Sequence, residues 1–109
     1  MSNAFVIEEF RPVAKPTVLR GWVIVLQPSG QRIHDCGLFC QDGKWWVSPP
    51  SKPRIGRDGQ QMRDASGKPQ WSPVVSFVSR EVGNRWSDAV IAALRLSHPH
   101  ALDQVAQQA

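Results

Sequence analysis

Apolar positions change their spacing along this chain, and the change divides it into a β-rich part and a helix. Phe5–Arg11 places Phe5, Ile7 and Phe10 among polar residues, a strand pattern that Pro12 and Pro16 close. Leu19–Gln27 is dense in Val, Ile and Trp and ends at Pro28-Ser29-Gly30, which predicts a second strand and a turn. Gln31–Cys40 reads as a third strand. Asp42-Gly43 tolerates the positive φ angles of a tight hairpin turn and leads into a short strand over Lys44–Ser48. Residues 49–70 carry Pro49, Pro50, Pro53 and Pro69 and predict an irregular loop, with a small hairpin at Asp58-Gly59. Val74–Val78 again reads as a strand. From Ser79, a residue suited to cap a helix, Val82, Trp86, Val90, Ala93 and Leu94 recur at helical spacing, and Pro99 sets an end near Ser97. No internal repeat is visible.

The expected fold is α+β: an antiparallel sheet of four to five strands with one C-terminal helix packed on it. With 109 residues, the chain is one domain's length. Its expected bounds are 5–97, with Met1–Ala4 as a loose end and 98–109 as a flexible tail. Leu19–Gln27 raises a question of cover. Trp22, Ile24 and Leu26 point to one face and Val23 and Val25 to the other, and one helix shields only one face. Either a twin subunit covers the second face, or loop 49–70 folds back over it.

Composition narrows the class. At 41% hydrophobic and 20% charged residues, the chain is too apolar for wholesale disorder. Its apolar runs, Trp22–Leu26 among them, are all far below the roughly 18 residues a membrane span needs. No basic region followed by an apolar stretch opens the sequence, and there are two cysteines, so reduced thiols and a cytoplasmic setting are expected. The net charge is +4. Between residues 52 and 68, Lys52, Arg54, Arg57, Arg63 and Lys68 face only Asp58 and Asp64, in a stretch poor in core-forming residues. Such a loop suits phosphate contact, and equally suits a solvated surface.

Candidate chemistry is sparse. His34, Cys36 and Cys40 share a face of an ideal strand, but at ~3.3 Å per residue the two sulfurs stand too far apart for one zinc ion or a disulfide, unless a bulge at Gly37 intervenes. Buried thiols are expected. His98, His100 and Asp103 make a poor metal cage near a helix end. No nucleophile elbow, phosphate loop, dinucleotide fingerprint or zinc-protease motif is present, so the chain reads as a non-enzyme without cofactor, metal or small-molecule substrate. Of the five tryptophans, Trp22 and Trp86 fall on positions that read as core-facing. Trp45 and Trp46 point to opposite faces, leaving one of them accessible. Trp71 lies beside the basic loop, where it either anchors the loop's return or stacks on a base.

Several short motifs occur in one order: Ile33-His34-Asp35; Gly37-Leu38-Phe39 through Trp45-Trp46-Val47; Pro50-Ser51-Lys52-Pro53; Asp58-Gly59 with Arg63-Asp64; and Arg85 before Asp88-Ala89-Val90. Over residues 5–97 this order resembles the stage V sporulation protein G family. The turn between its two central strands is shorter here, Pro49 stands where the family has Met, and Ala65–Trp71 is an insertion. The resemblance implies a small α+β homodimer that binds DNA or RNA and acts as a bacterial regulator, linked in its namesakes to sporulation and septation. Joined to the charge pattern, it nominates Lys52, Arg54, Arg57, Arg63 and Lys68 for phosphates, Arg80 and Arg85 for contacts at the helix start, and Trp71 for stacking. Two other classes fit the same residues. One is a protein-interaction adaptor using an exposed sheet face; the other is a single-stranded DNA coactivator of the positive-cofactor-4 type, which would bind along the sheet.

Overall fold

The computed structural model describes residues 4–102. Four strands form one antiparallel sheet in chain order: β1 (Val6–Pro12), β2 (Leu19–Leu26), β3 (Arg32–Gln41) and β4 (Lys44–Ser48). The turns between them follow from local chemistry. Gly30 at φ 92° closes β2–β3, and Asp42 and Gly43 at φ 53° and 80° make the β3–β4 turn with both central residues in the left-handed region.

One helix, α1 (Arg80–Ser97), covers one face of the sheet. Ser79 caps it, its Oγ accepting the Val82 N–H at 3.2 Å. Trp86, Val90, Ile91 and Leu94 meet Ile7, Val23, Val25, Cys36, Leu38 and Val47 in the core. Trp86 sends its indole N–H to Gln27 Oε1 at 2.8 Å, so the buried ring leaves no donor unpaired. Ser87, a buried hydroxyl that sequence reading passed over, accepts the outward N–H of Val47 on β4 at 2.9 Å. Sheet edge and helix are joined there by a bond whose loss would strand a buried donor. A 3-10 turn at Pro99–Leu102 follows α1 and buries Ala101 in the same core, so the packed chain continues past residue 97. The expected flexible tail is folded as far as Leu102, and its remainder, 103–109, lies outside the described residues. No helix among the described residues is long and apolar enough to cross a membrane.

The helix chose Val23 and Val25, so Trp22 is not in the core. It stands half-buried on the opposite face with Ile24 and Leu26. Register places Leu19, Phe39 and Trp46 across from one another on that face, and the Phe39 and Trp46 rings stack 5.5 Å apart at 12°. Gly37 makes room for them: a Cβ there would come within 2.8 Å of the Phe39 ring. β3 is irregular at His34-Asp35, where Asp35 takes φ 58°, and not at Gly37. His34 is therefore exposed while Cys36 and Cys40 are buried free thiols.

Residues 49–70 are not an unstructured loop. β5 (Ser51–Pro53) pairs with β6 (Trp71–Pro73) as the stem of an arm, and Trp22, Ile24, Leu26, Phe39 and Trp46 on the second sheet face are half-buried. Beyond the stem three backbone segments close a ring: Arg54 N–H donates to the Gln70 carbonyl (3.0 Å), Gln70 N–H to Met62 (2.8 Å) and Met62 N–H to Arg54 (2.7 Å). From this junction two lobes rise, 54–62 and 62–70, with matching bonds. Gly56 N–H donates to Gln60 and Gly59 N–H to Gly56; eight residues on, Asp64 N–H donates to Lys68 and Gly67 N–H to Asp64. The Asp58-Gly59 hairpin is the first lobe. The second is its conformational repeat, without a sequence repeat to announce it.

Val74–Val78 is not a strand. Val74 N–H bonds the Pro50 carbonyl at 3.0 Å, and there the ladder stops because Pro49 and Pro50 have no N–H to extend it. The chain then crosses to α1, with Phe77 packed 5.2 Å from Trp86 and Val78 93% exposed.

Candidate nucleic-acid interface

Six of the eight residues nominated from sequence come together on the arm. Lys52 is on β5, Arg54 at the junction, Arg57 on the first lobe, Arg63 and Lys68 on the second, and Trp71 on β6 opposite Pro53. All five cations are exposed, and Trp71 is 57% exposed. Arg80 and Arg85 lie apart from the arm on the first turns of α1, both exposed.

The acids of the arm are occupied with shaping turns. Asp58 Oδ1 accepts the Gln60 N–H at 3.0 Å. Asp64 Oδ1 accepts the Ser66 hydroxyl (2.7 Å) and the N–H groups of Ser66 (2.9 Å) and Lys68 (3.0 Å). These donors, the Ser66 hydroxyl foremost, hold the Asp64 carboxyl below its ordinary pKa. Neither acid neutralises a neighbouring cation. Among the described residues the ion pairs join Arg11 to Glu9 and Asp35, and Arg32 to Glu8, all in the four-stranded sheet. Two arginines of the arm are steered by neutral partners: Arg63 Nη1 donates to the Gly67 carbonyl at 2.9 Å and Arg54 Nη1 reaches Gln70 Oε1 at 3.5 Å. Arg11 and Arg32 on the sheet are paired, whereas among the described residues no cation of the arm has an ion pair; Arg20 on β2, whose buried Nε has no partner, and Lys44 on β4 are likewise without one.

At the foot of the arm an open cleft of about 1330 Å³ runs between β4 and α1. Arg80 lines it and Arg85 does not. Trp45, half-buried against the core, forms part of its wall together with Asn84 and Asp88, which sequence reading did not single out as site residues. Their signal was the four-residue spacing of Arg80, Asn84 and Asp88, which puts three polar side chains on one stripe of a helix.

No cluster of three or more potential metal ligands occurs among the described residues; Asp103 lies outside them. His98 caps α1 and packs 6.3 Å from the Phe10 ring. Burial, and secondarily the Asp35 carboxylate, push the Cys36 thiol up to about 12. No protein-family model, curated protein or solved structure matches the chain.

Proposed function

We propose that this protein is a non-enzymatic regulator that binds DNA or RNA through the basic arm and works in the cytoplasm as a homodimer. The observation that carries the reading is the set of uncompensated cations, Lys52, Arg54, Arg57, Arg63 and Lys68, on a projecting arm whose own acids are committed to backbone turns. Phosphates replace the missing counter-charge, releasing the ions condensed on the nucleic acid. The exposed Trp71 ring at the stem offers a stacking surface beside those charges. Motif order, resembling the stage V sporulation protein G family, points the same way.

Dimerisation is supported by the second sheet face. Leu19, Trp22, Ile24, Leu26, Phe39 and Trp46 form an apolar centre on it, and Arg11 and Arg32 beside it are already neutralised. A second copy seated on that face meets these two arginines already paired.

Fluorescence anisotropy with labelled single- and double-stranded DNA and RNA tests the reading. Log affinity is expected to fall linearly with log salt, by about 0.7–0.9 per phosphate contacted. Replacing Arg54, Arg57 and Arg63 together by Glu is expected to lower affinity at least a hundredfold at low salt. Unchanged affinity in that variant would remove the arm from the interface.

A further inference from the structure

We infer that the cleft between β4 and α1 takes a single unpaired nucleobase, guanine in preference to the others. This rests on the nucleic-acid reading and names what the surface recognises. The cleft differs from the arm in charge: Lys44 and Arg80 on its lining are balanced by Asp42 and Asp88. A phosphate is drawn to the arm, which has cations to spare; a neutral planar heterocycle suits the cleft. Trp45 supplies an aromatic wall, and its packing against the core holds the ring in place. On the α1 side of the lining, Asn84 and Asp88 stand one helical turn apart, and no hydrogen bond or ion pair within the described residues engages their side chains.

Guanine alone presents two adjacent N–H donors, at N1 and N2, which one carboxylate accepts together, with O6 beside them for an amide N–H. In a duplex this edge is occupied by cytosine, so the base must be unpaired. Ser48, Pro49, Val75 and Ser76 line the cleft and lead into the arm, so a strand whose phosphates lie on the arm passes the cleft's mouth.

Anisotropy with labelled RNA heptanucleotides tests this: seven uridines, and the same sequence with a central G, A or C. Wild-type protein is expected to bind the G heptamer on the order of tenfold more tightly than the all-U one. Asp88→Asn, an exposed and isosteric change, is expected to bring that ratio close to one with the thermal midpoint unchanged, while the loss of one acidic charge tightens binding of every heptamer alike; Asn84→Ala, which leaves the charge unaltered, is expected to reduce the ratio. Charge reversal on the arm is expected to weaken every heptamer and keep the ratio. Binding without a G preference, or a preference that survives Asp88→Asn, overturns the cleft assignment alone. Absence of binding to every heptamer overturns it together with the nucleic-acid reading.

Discussion

Single residues on this sheet are settled by what they face. Cys36 is the sharpest case: the same thiol that would titrate near 9 in the open chain is pushed up to about 12 by burial under the helix. Because the folded-state pKa is the higher one, the native protein keeps a proton that the unfolded chain gives up. This stability is whole below the unfolded pKa and is lost as pH rises from about 9 toward 12, at up to about 1.4 kcal/mol per pH unit. Urea midpoints measured at pH 8 and pH 10 should fall with pH, and Cys36→Ala should flatten that part of the fall. A wild-type slope identical to that of the variant would show that the thiol is not held in this way. The outward Val47 N–H and Ser87 show the same dependence on surroundings. Ser87 has no motif, and its role exists only because α1 lies beside β4.

At the scale of elements, the arm is held by turns and backbone bonds, with little apolar burial. Ile55, Met62 and Trp71 are all exposed. The second lobe therefore depends on Asp64, whose carboxylate gathers the Ser66 and Lys68 donors. Its pKa is held below the ordinary value, so the stabilisation is present above the usual carboxylate range and is lost as pH falls through the depressed pKa. Amide hydrogen exchange at Ser66 and Lys68, corrected for the intrinsic pH dependence, should lose protection on acidification. Asp64→Ala should show the same loss at neutral pH, with the sheet amides unaffected. Protection that ignores both changes would mean that the backbone bonds suffice. The first lobe is legible in Asp58-Gly59, whereas the second shares with it only the turn glycine, Gly67 matching Gly59 at positive φ, too little to announce a repeat. Sequence reading also extended Val74–Val78 as a strand, since β propensity is visible in sequence while the end of the partner strand at Pro49-Pro50 is not.

For the whole molecule the two faces of the sheet carry different consequences. α1 has one apolar stripe and closes one face; the other stays half-buried. If a second copy covers it, light scattering at micromolar concentrations should give a dimer mass. Trp22→Arg with Ile24→Lys should then give a folded monomer, because neither side chain belongs to the core that α1 seals. A monomeric wild type at ~100 μM would exclude this face as the interface.

The sequence by itself determined the α+β class, the first four strands to within a residue or two, the helix with its Ser79 cap, and the basic character of residues 52–68. Each of these is written locally, in period, turn residues or charge. Only the tertiary structure decided which face of β2 is core, so that Trp22 stands outside and Val23 inside: both faces are apolar in sequence, and the helix seals just one. It also decided that the proline-rich segment is a two-lobed arm and that Trp45, Arg80, Asn84 and Asp88 border one cleft. Those depend on bonds between backbones eight or more residues apart and on the docking of α1 against β4, contacts that local pattern does not encode.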